Sequence, residues 1–127
     1  MFYCVESSKS FYEATFDLKP VIQRLGFEVQ QIHDLGEILQ RKGIGLDEDC
    51  QVFELCNYRY MERLLSLDMR LGLLLPWRIS VFTRDGATWI ALADHETLVG
   101  GPDQPAELAS LLAEIREKLV LMIDETR

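Results

Sequence analysis

The spacing of hydrophobic positions changes period repeatedly along this chain, and each change predicts a new element. Phe2 to Ser7 predicts a strand. From Phe11 the apolar residues Phe11, Ala14, Leu18, Val21, Ile22 and Leu25 fall three and four apart, the spacing of one buried helical face. Ser10-Phe11-Tyr12-Glu13 at the head of that run is a capping box, in which the serine hydroxyl and the glutamate three residues on satisfy each other's backbone donors. Gly26 supplies a left-handed stop, and Pro20 removes one bond of the ladder, which predicts a kink. Phe27 to His33 predicts a second strand. Asp34 and Glu37 then repeat the cap logic for a short helix carrying Leu35, Ile38 and Leu39, closed by Gly43. Gly43 to Asp49 predicts a loop.

Cys50 to Cys56 alternates as a third strand, with Phe53 and Leu55 pointing one way and Val52, Glu54 and Cys56 the other. Asn57 is a favoured N-cap residue, so a helix from Tyr58 to about Ser66 follows at once, with Met61, Leu64 and Leu65 inward. Trp77 to Thr83 and Ala87 to Ala93 flank Arg84-Asp85-Gly86. The Asp-Gly pair tolerates positive φ and marks a tight hairpin, so these strands are antiparallel neighbours. Gly100-Gly101-Pro102 reads as a turn into a last helix over Gln104 to Asp124, entered through Pro105, whose stripe is Leu108, Leu111, Leu112, Ile115, Leu119 and Met122.

The order is β-α-β-α-β-α-β-β-α in a single domain spanning residues 1–127. Hairpins with interleaved helices predict an α+β fold: a largely antiparallel sheet of about five strands with helices packed on one face. The opposite face then carries Phe2, Cys4, Val52, Phe82 and Trp89 beside Glu54 and Arg78. An apolar face of that size wants cover, and a second copy of the chain is the expected partner.

The ordered set Gly26-Phe27, Cys56-Asn57, Leu67-Asp68 and Gly72-Leu73-Leu74-Leu75-Pro76, followed by the strand Arg78-Ile79-Ser80-Val81-Phe82, resembles the domain of unknown function 302 family from about Ser10 to Leu98. The resemblance implies a small bacterial or archaeal protein, a fold like half of the TATA-box-binding protein, association as a dimer, and a biochemical role that is unassigned. The family pattern usually reads Cys-Asn-Pro at the first motif and Leu-Pro-Cys at the second. Here Tyr58 replaces that proline and Trp77 the second cysteine, so the pattern's paired thiols lack one partner.

Composition narrows the function classes. With 127 residues and ordinary apolar and charged fractions, the chain is long enough for one self-sufficient core. A formal charge of −8 repels DNA, because phosphate binding needs surplus Lys and Arg to displace counterions. A nucleic-acid partner is therefore not expected, whatever the fold resembles. The longest strongly apolar run, Leu71 to Trp77, is far too short for a bilayer, and the first residues lack a basic segment leading into an apolar one. No membrane partner and a cytoplasmic location are the expectations.

Cys4, Cys50 and Cys56 are odd in number, lack CxxC spacing and lie far in sequence from His33 and His95, so neither a zinc site nor a disulfide framework is predicted. Asp47-Glu48-Asp49 lacks the alternating ligands of a calcium loop. No glycine-rich phosphate loop or Gly-x-Ser-x-Gly elbow occurs, and no cofactor or catalytic set is predicted. The candidate ligand residues are Cys56, Asn57, Trp77, Glu54 and Arg78. Cys56 precedes a helix N-terminus, where a thiolate would be favoured. Asn57 is a cap or ligand contact, and Trp77 packs at the sheet edge or serves as a platform. Glu54 and Arg78 form an ion pair or orient a small polar ligand. Two readings follow: a non-enzymatic homodimeric binding module with a small-ligand site near Cys56, or a thiol-dependent sulfur carrier or redox partner working through Cys56.

Overall fold

In the computed structural model, which describes residues 2–94 and 104–127, one five-stranded sheet carries its helices on one face. His95 and the expected turn at Gly100-Gly101-Pro102 lie outside the described residues. The elements are β1 (Phe2–Ser7), α1 (Phe11–Arg24), β2 (Glu28–Asp34), α2 (Leu35–Arg41), β3 (Cys50–Cys56), α3 (Tyr58–Leu67), a 3₁₀ helix (Met69–Leu74), β4 (Trp77–Arg84), β5 (Ala87–Ala93) and α4 (Ala106–Thr126). The strand order is β1-β5-β4-β3-β2, and every neighbouring pair is antiparallel. The α+β class, the element order and the one-sided helical cover agree with the sequence reading. Only the 3₁₀ helix was not anticipated.

Local chemistry explains the boundaries. Ser10 Oγ accepts from the Glu13 amide at 3.2 Å while the Ser10 amide donates to Glu13 Oε1 at 3.4 Å, completing the capping box of α1. At its other end Gly26 takes φ +89°, and the Phe27 and Gly26 amides return to the Ile22 and Gln23 carbonyls, a Schellman stop. Pro20 lies within α1, and the helix runs on through it. Asp34 caps α2 by accepting from the Glu37 amide at 3.0 Å. The hairpin turns on Asp85 (φ 51°) and Gly86 (φ 81°), the pair of positive angles that matches the twist of the flanking strands. Asp68 ends α3 and caps the 3₁₀ helix through the Arg70 amide, at 2.9 Å. The peptide before Pro76 is cis.

The core lies between the sheet and α1, α3 and α4. Phe53, Leu55, Ile79, Val81, Ile90 and Leu92 are buried from the sheet, and Ala14, Leu18, Ile22, Leu64, Leu111, Ile115, Leu119 and Met122 from the helices. Burial removes apolar area from water at roughly 25 cal/mol per Å², so this layer is the main source of stability. One helical phase differs from expectation. On α3 the buried residues are Tyr60 and Leu64, whereas Met61 and Leu65 are half-buried on its flank. Tyr60 turns inward because its ring meets Phe27, with centroids 5.9 Å apart, and Phe27 meets Trp77 edge-on at 5.7 Å.

Candidate functional site

Two regions hold the residues singled out from the sequence. The first is the junction where β3 passes into α3. Glu28 pairs with Cys56 across β2 and β3, which brings the end of α1 beside the start of α3. Asn57 uses this proximity twice. Its Oδ1 accepts from the Tyr60 amide at 3.0 Å, capping α3, and its Nδ2 donates to the Gly26 carbonyl at 3.0 Å, tying the two helix ends together. Sequence predicted the cap, while the bond to Gly26 depends on strand register and was missed. Asn57 also borders a shallow groove of about 380 Å³ with Arg59, Arg63, Glu114 and Lys118.

Cys56 has the strand parity of the face away from the helices, yet only 1 % of it is exposed. Burial, and after it the negative charge of Glu28, pushes its thiol pKa up. The helix N-terminus beside it does not offset this. A thiol so enclosed is a weaker nucleophile than a free one and is shielded from solvent. Trp77 is 4 % exposed and stands on the helix-covered face, the side opposite Glu54 and Arg78. The reading of it as an edge residue is corrected: its indole packs on Phe27, and it lines a small cavity of about 40 Å³ with Leu92, Leu112, Ile115 and Leu119. Cys56, Asn57, Trp77, Glu54 and Arg78 thus do not converge on one pocket.

The second region is the face of the sheet that no helix covers. Its register is a grid. One row runs Glu6, Trp89, Phe82, Cys50; the next runs Cys4, Ala91, Ser80, Val52, His33; a third holds Arg78, Glu54 and Gln31. Phe2, on the same side of β1, is 69 % exposed, while Val52, Phe82, Trp89 and Ala91 are half-buried among their strand neighbours. The seven residues assigned to this face by alternation are all there. The Arg84 guanidinium lies 5.4 Å from the Trp89 ring centroid. Trp89 Nε1 is buried and has no hydrogen-bond partner among the described residues.

In the third row Glu54 Oε1 lies 3.0 Å from His33 Nε2 and 3.8 Å from Arg78 Nε. The sequence paired Glu54 with Arg78 but did not bring His33 to them. The missing signal was the register of β2, which shifts at a bulge between Val29 and Gln31 and so hides the residue opposite Val52. Cys50 Sγ sits 3.6 Å from Ser80 Oγ on this face, and Cys4 is exposed there. Among the described residues no cluster of three or more His, Cys, Asp or Glu could hold a metal ion.

A single antiparallel sheet with one helical layer and one bare face defines the class: a small two-layer α+β protein. The family model described as Domain of unknown function DUF302 matches residues 3–126, and the chain belongs to that family. Among solved structures it is similar to the crystal structure of an uncharacterized conserved protein DUF302 from Bacillus stearothermophilus. The two share 28 % identity at a TM-score of 0.91, covering 99 % of this chain and 98 % of that one. No curated protein matches the chain. No helix among the described residues is long and apolar enough to cross a membrane.

Proposed function

We propose that this protein is a homodimeric interaction module whose two copies meet through the bare faces of their sheets. The observation that carries the reading is the row of apolar side chains on that face, Phe2, Val52, Phe82 and Trp89, lying opposite a core that the helices already fill. Size agrees. Five strands at roughly 4.8 Å spacing and about six residues at roughly 3.3 Å rise span on the order of 500 Å² before side-chain relief is counted, against about 800 Å² per partner in a standard interface.

Shape agrees as well. The central row of Cys4, Ala91, Ser80 and Val52 is made of small side chains, and the bulky Phe82 and Trp89 form a ridge beside it. Ridge and trough on one surface are what a self-complementary pairing requires.

The geometry gives less to the other roles. A ligand site near Cys56 would have to use the groove beside Asn57 rather than the five residues together, and a sulfur carrier or redox partner needs a thiol in reach. Neither has an observation in its favour as specific as the bare face.

Light scattering with analytical ultracentrifugation tests the pairing. The wild-type chain is expected to sediment as a dimer at micromolar concentration. Trp89→Asp, which plants a charge on the ridge, is expected to weaken association by about 100-fold or more while leaving the circular dichroism unchanged. A wild-type protein that stays monomeric at about 100 µM would overturn the proposal.

A further inference from the structure

We infer that the outer edge of β1 is a second contact surface, on which β1 of another copy adds as an antiparallel strand. The two margins of the sheet differ. β2, at one margin, shifts its register at the bulge between Val29 and Gln31, and a bulge twists an edge out of shape for further pairing. β1, at the other, runs in unbroken antiparallel register with β5 from Phe2 to Ser7. Alternate residues of such a strand turn their N–H and C=O groups away from the neighbour they have, in a row that another strand can meet.

The sequence of β1 does little to blunt that row. Phe2-Tyr3-Cys4-Val5-Glu6-Ser7 is rich in strand formers, holds no proline or lysine, and carries one charge, on Glu6. Among the described residues the helix beside β1 is α4, which meets the strand on the covered side: the Tyr3 hydroxyl donates to Asp124 Oδ1 and the Ser7 hydroxyl to the Arg127 carbonyl. α1, which follows β1 in the chain, packs instead on β2 and β4.

The occupant that fits is a second copy. A two-fold axis perpendicular to the sheet pairs β1 with itself antiparallel and leaves every side chain on its own side. Centred on Cys4, it sets Tyr3 opposite Val5 of the second copy on the covered side, and Phe2 opposite Glu6 and Cys4 opposite Cys4 on the bare side. Like charges do not meet, because the one charge of the strand lies across from Phe2. The same centre leaves Ser7 out of the pairing, where the Lys9 amide and the Arg127 carbonyl already engage its hydroxyl. The contact is independent of the face-to-face pairing, and two sheets joined in this way present one continuous bare face.

Trp89→Asp, which disrupts the face-to-face contact, isolates the edge. At about 1 mM this variant is expected to self-associate, with β1 amides exchanging hydrogen about tenfold or more slowly than in dilute protein. Diamide, which takes one hydrogen from each of two thiols, is expected to join Cys4 to Cys4 in the associated form, a link that peptide mapping identifies. Adding Cys4→Lys sets two like charges across the axis and is expected to weaken association by about tenfold or more, whereas Cys4→Ser is expected to leave it within about threefold. β1 amides that exchange at one rate at every concentration, or association indifferent to Cys4→Lys, would overturn the edge contact and leave the face pairing standing. A wild-type dimer unmoved by Trp89→Asp but broken by Cys4→Lys would keep the edge contact and remove the face pairing, which is a different result.

Discussion

Phe53 and Val52 are consecutive residues of one strand, and they belong to two different surfaces. Phe53 points into the helical layer and is buried against side chains from the same chain. Val52 points to the bare face and is only half-buried, with Ser80 on one side and His33 on the other. The helix-covered face is complete within one molecule. The bare face has the same kind of alternation and apolar content but no partner of its own. A strand that is hydrophobic on both sides carries two apolar faces, of which folding one chain buries only the first under helices.

Chemical denaturation separates the two faces most sharply. Phe53→Ala is expected to cost about 3–5 kcal/mol, from lost transfer energy and the cavity left behind. Val52→Ala is expected to cost about 1 kcal/mol or less in the monomer, because part of its surface is already wet. Equal costs would mean that the bare face is as fully packed as the core, and the contrast would fail.

Next in size is the tie between the ends of α1 and α3 at the β3–α3 junction. Asn57→Ala removes both the cap of α3 and the bond to the Gly26 carbonyl, and about 1–2 kcal/mol of stability is expected to go with them. Asn57→Asp retains the capping oxygen but lacks the amide donor, so it is expected to fall between the two.

The cysteines provide a probe without mutation. Cys4, exposed on the bare face of a single copy, is expected to react first with an alkylating reagent in dilute monomeric protein and to be shielded on pairing, and Cys56 only when the chain unfolds, since burial encloses it and, with Glu28, raises its thiol pKa. Mass spectrometry of partially modified protein reads the order. A Cys56 that reacts in the native state below the usual thiol range would restore the thiol-dependent reading.

The smallest effect is expected outside both faces. Asp68 caps the 3₁₀ helix, and hydrogen bonds from Arg70 lower its pKa to about 2 from 3.8. A depressed carboxylate pKa contributes stability that is present above the unfolded value and lost as pH falls through the folded one. The site is exposed, so solvent screens the pair and the contribution is small. The difference in midpoint between Asp68→Asn and wild type is expected to hold at neutral pH and to fade between pH 4 and about 2.

Much of this architecture was legible because it is written in short-range chemistry. The helix caps, the Asp-Gly turn and the strand alternation each involve residues within a few positions of one another, and each determines its element locally. The bare face was legible for the same reason, since alternation assigns sides without reference to neighbours. What escaped needed contacts between distant segments. The inward turn of Tyr60 follows from Phe27, 33 positions earlier, and the placement of Trp77 follows from the same ring. The enclosure of Cys56 runs against its strand parity, and the contact of His33 with Glu54 depends on a bulge in β2. The candidate ligand residues were therefore right about local roles, such as the Asn57 cap, and scattered as a set.

The order of the sheet has a consequence for how the molecule is made. The two strands translated first, β1 and β2, are its outer margins, joined by α1, and the three that fill the gap between them all come later. During synthesis neither early strand has a neighbour to pair with, and β1 must wait for β5, more than eighty residues on. The first strand is an outer margin left open through most of synthesis, and it gains its one neighbour only when the last hairpin arrives.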